Sequence, residues 1–242
     1  LIAKLRKRSL PMVLSFCPDI RARLARGRAG DLPRYLRQAL AGPVAPADDY
    51  GRWDLDGALL FVGMVGFTAR VEHLAAAGPD GPDRANELVE HSIGRLIEAL
   101  DRAGGDVVVF AGDALFVLWP RLASETGLEG AVARAAQAAL EALATRAQSV
   151  APGALLRFSM GAGAFTAHRV GGHGGRWHCL LSGAAFEQVG RADALALNDT
   201  LVASPEAVNA SAGRIDVTRT RHGMLIVNRS RPPVLAATEN RM

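Results

Sequence analysis

The chain has 242 residues, of which 49% are hydrophobic, and it carries a net charge of +4 with a mean hydropathy of +0.12. These values exclude a disordered or collagen-like chain and fit a globular protein with one large domain. Glycines interrupt the longest apolar run, GALLFVGMVGF, well before the roughly 20 residues that a bilayer span needs. Two cysteines, Cys17 and Cys179, are too few for a disulfide scaffold, so we expect a cytoplasmic protein.

The positive charge is concentrated at the N-terminus. Residues 1–40 contain ten Lys or Arg and two Asp, a net of +8, so the rest of the chain carries −4. We interpret residues 1–50 as a basic helical extension broken by prolines. A solvated or partner-facing arm is favoured over a nucleic-acid or acidic-lipid patch, because aromatic residues for base stacking are nearly absent there. A signal peptide is disfavoured, since Pro11 divides the apolar stretch and no clean cleavage site follows.

The main domain is predicted over 51–230, with 231–242 as a tail or linker. Its first element is the short apolar run DGALLFVGM, which predicts a buried strand. An amphipathic helix then begins near Thr68 and stops at Gly78. A longer helix, with Asp83 as its predicted cap, repeats apolar residues at three- and four-residue spacings up to the stop at Gly104 and Gly105.

The second half alternates strands and helices. DVVVFAGDALFVLWP predicts two strands joined by a tight turn that displays Asp113, and an Ala-rich helix follows over about 125–148. ALLRFSMGAGAF and RWHCLLSG predict a strand pair, AAFEQVGRADALA a helix, DTLVAS a strand, and 214–228 a closing hairpin. The order predicts an α+β fold of ferredoxin-like style, a mostly antiparallel central sheet with helices packed on it.

Three segments carry the candidate chemistry, whereas phosphate-loop, HExxH, GxSxG and CxxC motifs are missing. The segments LFVGMVGFT, GGDVVVFAGDALFVLW and GAAFEQVGR resemble the cyclase homology domain of class III adenylyl and guanylyl cyclases, particularly the subgroup related to soluble adenylyl cyclase. The corresponding family patterns are LFVDISGFT, GGDVxKFAGDALLALW and GxxVNxAAR. The resemblance covers about 57–204 and implies a head-to-tail dimer, homomeric or heteromeric, with purine-nucleotide sites at the interface.

The resemblance implies an incomplete metal site. Asp113 matches the second of two metal-binding aspartates, whereas Gly63 stands at the first. Cyclising a nucleoside triphosphate requires two cations, Mg²⁺ or Mn²⁺, to lower the charge on nucleophile and leaving group. Because Gly63 has no side-chain ligand, we expect that this metal pair does not assemble in a homodimer. Mg²⁺ or Mn²⁺ is expected if a nucleotide is bound, and the alternative is no metal at all. Asp113 as a plain turn residue stays open.

The third segment departs from the family at its catalytic position. Glu187 replaces the asparagine that acts on ribose, and Arg191 keeps the position of the arginine that acts on phosphate in the transition state. The two residues are four apart on a predicted helix, which predicts an ion pair worth a few tenths of a kcal/mol. A carboxylate at Glu187 also opposes a polyphosphate.

Other positions match the family pattern only in part. The turn residues Gly66, Phe67 and Thr68 match the family's nucleotide-binding turn, but Val65 replaces its hydroxyl residue and Val109 its lysine.

The base-selecting positions, His178 and Cys179, fit neither the adenine nor the guanine pattern, so ATP and GTP stay open as ligands. His168, His173 and His178 flank a Gly-rich turn, which favours an exposed hairpin tip over a metal site. Trp119 and Trp177 are predicted packing residues.

Three functions remain open. The first is a degenerate cyclase domain, a pseudoenzyme that serves as a regulatory, nucleotide-sensing or dimerisation module. The second is an active adenylate cyclase, ATP to cyclic AMP and pyrophosphate, with a complementary partner domain. The third is a scaffold that uses the basic arm. We favour the first, because a partner cannot easily supply an aspartate beside Asp113.

Overall fold

A computed structural model describes residues 51–111, 114–149, 154–171, 177–220 and 225–232. The predicted extension 1–50 and residues 233–242 of the tail lie outside this range. The strands are β1 (Gly51–Val65), β2 (Asp106–Ala111), β3 (Ala114–Pro120), β4 (Leu155–Gly171), β5 (Trp177–Ser182), β6 (Thr200–Ala203), β7 (Ile215–Arg219) and β8 (Leu225–Ser230). The helices are α1 (Phe67–Ala75), α2 (Gly81–Arg102), α3 (Glu129–Ser149), α4 (Ala184–Asp193) and α5 (Pro205–Ala210).

The eight strands form one sheet in the order β2-β3-β1-β4-β6-β8-β7, and β5 pairs with the C-terminal part of β4. The β4–β6 pair is parallel, and the other pairs are antiparallel. Helices α2 and α3 pack on one side and α4 on the other. The predicted α+β class with a mostly antiparallel sheet is therefore confirmed.

Alternating residues of the central strands divide the sheet into two faces. The back face lies under α2 and α3 and forms the larger core, with strand residues Ala58, Leu60, Val62, Met64, Leu115, Val117 and Trp119. Trp119 is fully buried, and its Nε1 donates to the Ala103 carbonyl oxygen at 3.1 Å. A Cβ at Gly105 would lie 2.5 Å from the Trp119 ring, so glycine is required there. The predicted packing role of Trp119 is confirmed.

The front face holds a smaller cluster beside α4. Its buried members are Leu59, Phe61, Ala114, Leu118, Phe165, Ala167, Ala185 and Val189. Partly exposed residues, among them Phe116 on β3 and Phe186 on α4, border the cluster. The ring centroids of Phe116 and Phe186 lie 5.5 Å apart, and those of Phe61 and Phe116 lie 5.1 Å apart. Within the described ranges, the front face therefore presents apolar surface beside one helix, α4.

The element boundaries differ from the sequence predictions in three places. Strand β1 begins at Gly51, because 51–56 pair with β4; this part of the strand has the polar residues Arg52, Asp54 and Asp56 instead of an apolar run. Helix α2 begins at Gly81 with Asp80 at the N-cap, so the predicted Asp83 cap is wrong; a proline at the first turn favours the earlier start. Helix α5 was not predicted; the Ser204 hydroxyl caps it by accepting from the Ala207 N–H at 3.0 Å.

Among the described residues, no helix is both long and apolar enough to span a membrane.

Candidate functional site

Gly63 lies on β1 between two partner strands. It pairs with Ala114 on β3 and with Arg157 on β4. A Cβ at Gly63 would contact the Phe61 ring at 3.4 Å, an ordinary van der Waals distance, so the fold leaves room for a side chain. Asp113 lies outside the described residues, but the residue after it, Ala114, is the one paired with Gly63. Position 63 therefore has room for a side chain, and what it lacks is a ligand atom.

Arg157 is the charged residue opposite Gly63. Directly paired residues of antiparallel strands share a face, so the Arg157 side chain leaves the sheet on the side that Gly63 faces. Its Nε lies 3.0 Å from Oδ1 of Asp193 at the end of α4, and Asp193 is buried with a side chain 2% exposed. The Ser159 hydroxyl donates to the same Oδ1 at 3.3 Å. The Arg157–Asp193 pair therefore ties β4 to α4 on the side of the sheet that Gly63 faces.

The described residues do not fit the implied metal pair. Gly63 offers no side-chain ligand, and the charged residue paired with it, Arg157, is a cation that already contacts Asp193. Within the described ranges, no group of three or more His, Cys, Asp or Glu side chains is arranged to hold a metal ion. No catalytic step through Mg²⁺ or Mn²⁺ is therefore derived from this site, and metal binding by Asp113 stays a prediction.

Helix α4 carries the two predicted catalytic positions, both exposed. The predicted ion pair between Glu187 and Arg191 is wrong. Nη2 of Arg191 instead donates to Oε1 of Glu206 on α5 at 2.6 Å. The intrahelical pair gains only a few tenths of a kcal/mol, so a carboxylate that the fold places beside Arg191 competes easily. Glu187 lies in the first turn of α4, where the helix dipole favours a negative charge.

Gln188 fixes α4 against the sheet. Strand β6 pairs with 157–160 of β4 and β5 pairs with 166–171, so Ala162 lies in a gap between the two partners. The Gln188 amide fills this gap: its Oε1 accepts from the Ala162 N–H at 2.9 Å and its Nε2 donates to the Ala162 oxygen at 3.0 Å. The Ser204 hydroxyl also donates to Oε1 at 3.1 Å. The side chain therefore replaces a missing strand and sets the orientation of Glu187 and Arg191.

Close approach of α4 to the sheet also needs a glycine. A Cβ at Gly161 would lie 2.7 Å from the Ala185 oxygen and 3.0 Å from the Gln188 Cβ.

The three residues of the β1–α1 turn that are predicted to contact a nucleotide differ in their exposure. Gly66 is exposed and has a left-handed backbone (φ 79°) as the N-cap of α1. Phe67 is fully buried in the back-face core, so its side chain is a packing residue and does not reach a ligand. Thr68 is half-buried.

Several predicted positions are only partly described. His178 and Cys179 pair through β5 with Val170 and Arg169 of β4, and their side chains lie outside the described set. The same holds for the side chains of Val109 and Trp177 and for His173.

Sequence reasoning missed the three residues that organise this region, Arg157, Asp193 and Gln188. Their partners lie 26 to 36 residues away in sequence, and no local pattern marks such pairs. The available signal was a polar residue at a helix position that the apolar spacing predicts to be buried. Gln188 and Asp193 are two such residues, since both are buried on the inner side of α4.

Comparison with known proteins agrees with this architecture. No protein-family model matches the chain. Human adenylate cyclase type 10 is 36% identical over 93 residues, which are 38% of this chain and 6% of the relative. The chain thus matches a small part of its curated relatives.

Solved structures cover more of the chain. The adenylyl cyclase CyaB from P. aeruginosa has a TM-score of 0.59 at 17% identity and covers 76% of this chain and 97% of its own. The non-canonical dimeric guanylyl cyclase domain of the RhoGC fusion protein from Blastocladiella emersonii has a TM-score of 0.57 at 13% identity, covering 76% and 99%. The chain therefore has the fold of the class III adenylyl and guanylyl cyclase domains, and over 93 residues its sequence is similar to adenylate cyclase type 10.

Proposed function

We propose that this chain is a non-catalytic cyclase homology domain, which associates with a second copy through the front face and contacts a purine nucleotide without cyclising it. The observation that carries the first part is Gly63 paired with Arg157. Gly63 has only a hydrogen where the resemblance implies one carboxylate of the metal pair, and the residue paired with it is a cation rather than a second acid.

The chemistry of cyclisation explains why this change is decisive. The ribose hydroxyl attacks the α-phosphorus in line, so the nucleophile must lose a proton while pyrophosphate gains charge. Two cations held by carboxylates supply both effects, and mutual repulsion prevents a guanidinium from sharing their position. Glu187, on the exposed side of α4, adds negative charge where the resemblance places an uncharged asparagine.

An assay tests the absence of catalysis. The purified full chain is incubated with ATP or with GTP in the presence of Mn²⁺, and cyclic nucleotide is measured. We expect no product above the protein-free control. Product that the Asp113→Ala variant no longer forms would overturn the proposal, because it would show that a single aspartate suffices.

The partly exposed aromatic residues of the front face support association. Among the described residues, Phe116 on β3 and Val108 on β2 are only partly buried on the front side of the sheet, and Phe186 of α4, in ring contact with Phe116, extends the same apolar surface. Aromatic side chains of this kind are enriched in the centres of protein interfaces. A second copy presents the same surface, so a two-fold arrangement buries both.

A further inference from the structure

Three arginines near α4 and the central strands differ in how deeply their side chains are buried and in how they are paired with carboxylates. Arg134 on α3 is 7% exposed and contacts both carboxylate oxygens of Glu125. Arg157 is held by the buried Asp193. Arg191 is 58% exposed and contacts one oxygen of Glu206, which is itself 47% exposed. Arg191 is therefore the arginine of this set whose partner can be exchanged at little cost.

The Arg191 contact leaves most of the guanidinium unused. A guanidinium has five N–H donors in a planar fork, and one of them reaches Glu206 at 2.6 Å. Among the described residues, no other side chain or backbone group accepts from Arg191. A phosphate group takes two parallel bonds from such a fork and carries more charge than a carboxylate. The Glu206 carboxylate is therefore a partner that a phosphate group can replace at Arg191.

Glu206 is nevertheless held in place by the fold. It lies in the first turn of α5, which Ser204 caps, and the Ser204 hydroxyl also bonds Gln188 on α4. The same two helices that carry Arg191 and Glu206 are therefore linked at a second point. The fold therefore keeps the Glu206 carboxylate beside the Arg191 guanidinium.

We propose that Glu206 is an internal competitor at Arg191, so that this position admits a di- or triphosphate only by displacing the carboxylate. This inference rests on the proposed function, in which the chain contacts a purine nucleotide, and it assigns the phosphate contact to α4. Glu206 then sets the affinity of the site, and a ligand with a single weak anionic group does not displace it.

Titration of ATP and of inorganic triphosphate, without divalent metal, tests this proposal by calorimetry. The Glu206→Gln variant should bind either probe about two- to fivefold more tightly than the wild type, the range expected for loss of an exposed ion pair. Asp216→Asn is the matched control, because Asp216 pairs with Arg231 at 2.7 Å with similar exposures of 45% and 55%. Both variants remove one negative charge, so a general charge effect would act on them equally.

A double variant, Glu206→Gln with Arg191→Gln, should lose the gain. Equal affinity of wild type and Glu206→Gln, an equal gain in Asp216→Asn, a gain that survives in the double variant, or no binding to any of the proteins overturns the proposal. No binding to any of the proteins would also contradict the nucleotide contact of the proposed function, whereas each of the other three results would overturn only the role of Glu206.

Discussion

The two faces of the sheet are built from the same alternating strands but differ in what covers them. The back face is sealed by α2 and α3, with Leu96 and Trp119 buried. The front face has the ten-residue α4 beside it, with Phe116 and Phe186 partly exposed. Burial on the back stabilises the domain, whereas apolar surface left at the front is available to a partner. The comparison separates residues that hold the fold from residues that serve contact.

The largest effect should come from the back face. Leu96→Ala removes a buried side chain from the α2 packing and should lower the free energy of unfolding by about 2–5 kcal/mol. Urea denaturation measures this loss. Leu195→Ala, at a leucine that is 46% exposed, is the control and should change little. Equal losses in both variants would contradict the assignment of the core.

The second effect concerns the polar link between α4 and the sheet. Gln188→Leu leaves the Ala162 N–H and C=O unpaired in a buried gap and should cost about 2–4 kcal/mol. Gln137→Leu is the matched control, since Gln137 makes one exposed hydrogen bond, to Glu141 at 2.7 Å. If the two variants unfold at the same urea concentration, Gln188 does not replace a strand.

A gain of function tests the position opposite Arg157. Gly63→Asp fits sterically and adds the carboxylate that the resemblance implies as the partner of Asp113, so Mn²⁺ should stabilise this variant more than the wild type. The expected difference is about 1 kcal/mol at a Mn²⁺ concentration several times the dissociation constant. Thermal unfolding with and without Mn²⁺ measures it, and Gly63→Asn serves as the uncharged control. No difference between Asp and Asn would show that positions 63 and 113 do not share a cation.

The smallest effect lies at the exposed end of the β1–β4 pair. The Thr166 hydroxyl donates to Asp54 at 2.8 Å and, helped by Arg52, holds the pKa of this carboxyl below its ordinary value. A lowered folded-state pKa adds stability above the unfolded-state pKa of about 4, and this contribution disappears as the pH falls through the folded value. Thr166→Val should therefore raise the pKa of Asp54 in an NMR titration. An unchanged pKa would assign the shift to Arg52.

The sequence predicts those parts of this domain that follow local periodicity. The central apolar strand, the long α2 period and the hairpin of β2 and β3 all bury one side of a regular element, and each is where the pattern places it. The resemblance also predicted the fold. Local reasoning could not find α5, a six-residue helix whose start depends on one cap, Ser204.

The site was harder to predict because its contacts are tertiary. Arg191 pairs with Glu206 rather than Glu187, since the choice depends on where α5 lies. Gln188 bonds Ala162 because β5 and β6 leave a gap along β4, which no single segment encodes. Arg157 meets Asp193 across 36 residues. The glycine at position 63 is read directly from the sequence. The structure adds that this glycine pairs with Arg157 on β4.

Sedimentation equilibrium of the full chain tests the central claim, association through the front face, most directly. The wild type should form a dimer, the Phe116→Asp variant should be monomeric, and Leu197→Asp, which places the same charge at a leucine already 57% exposed, should remain dimeric. A wild type that stays monomeric at all concentrations, or a Phe116→Asp variant that dimerises as the wild type does, would contradict it.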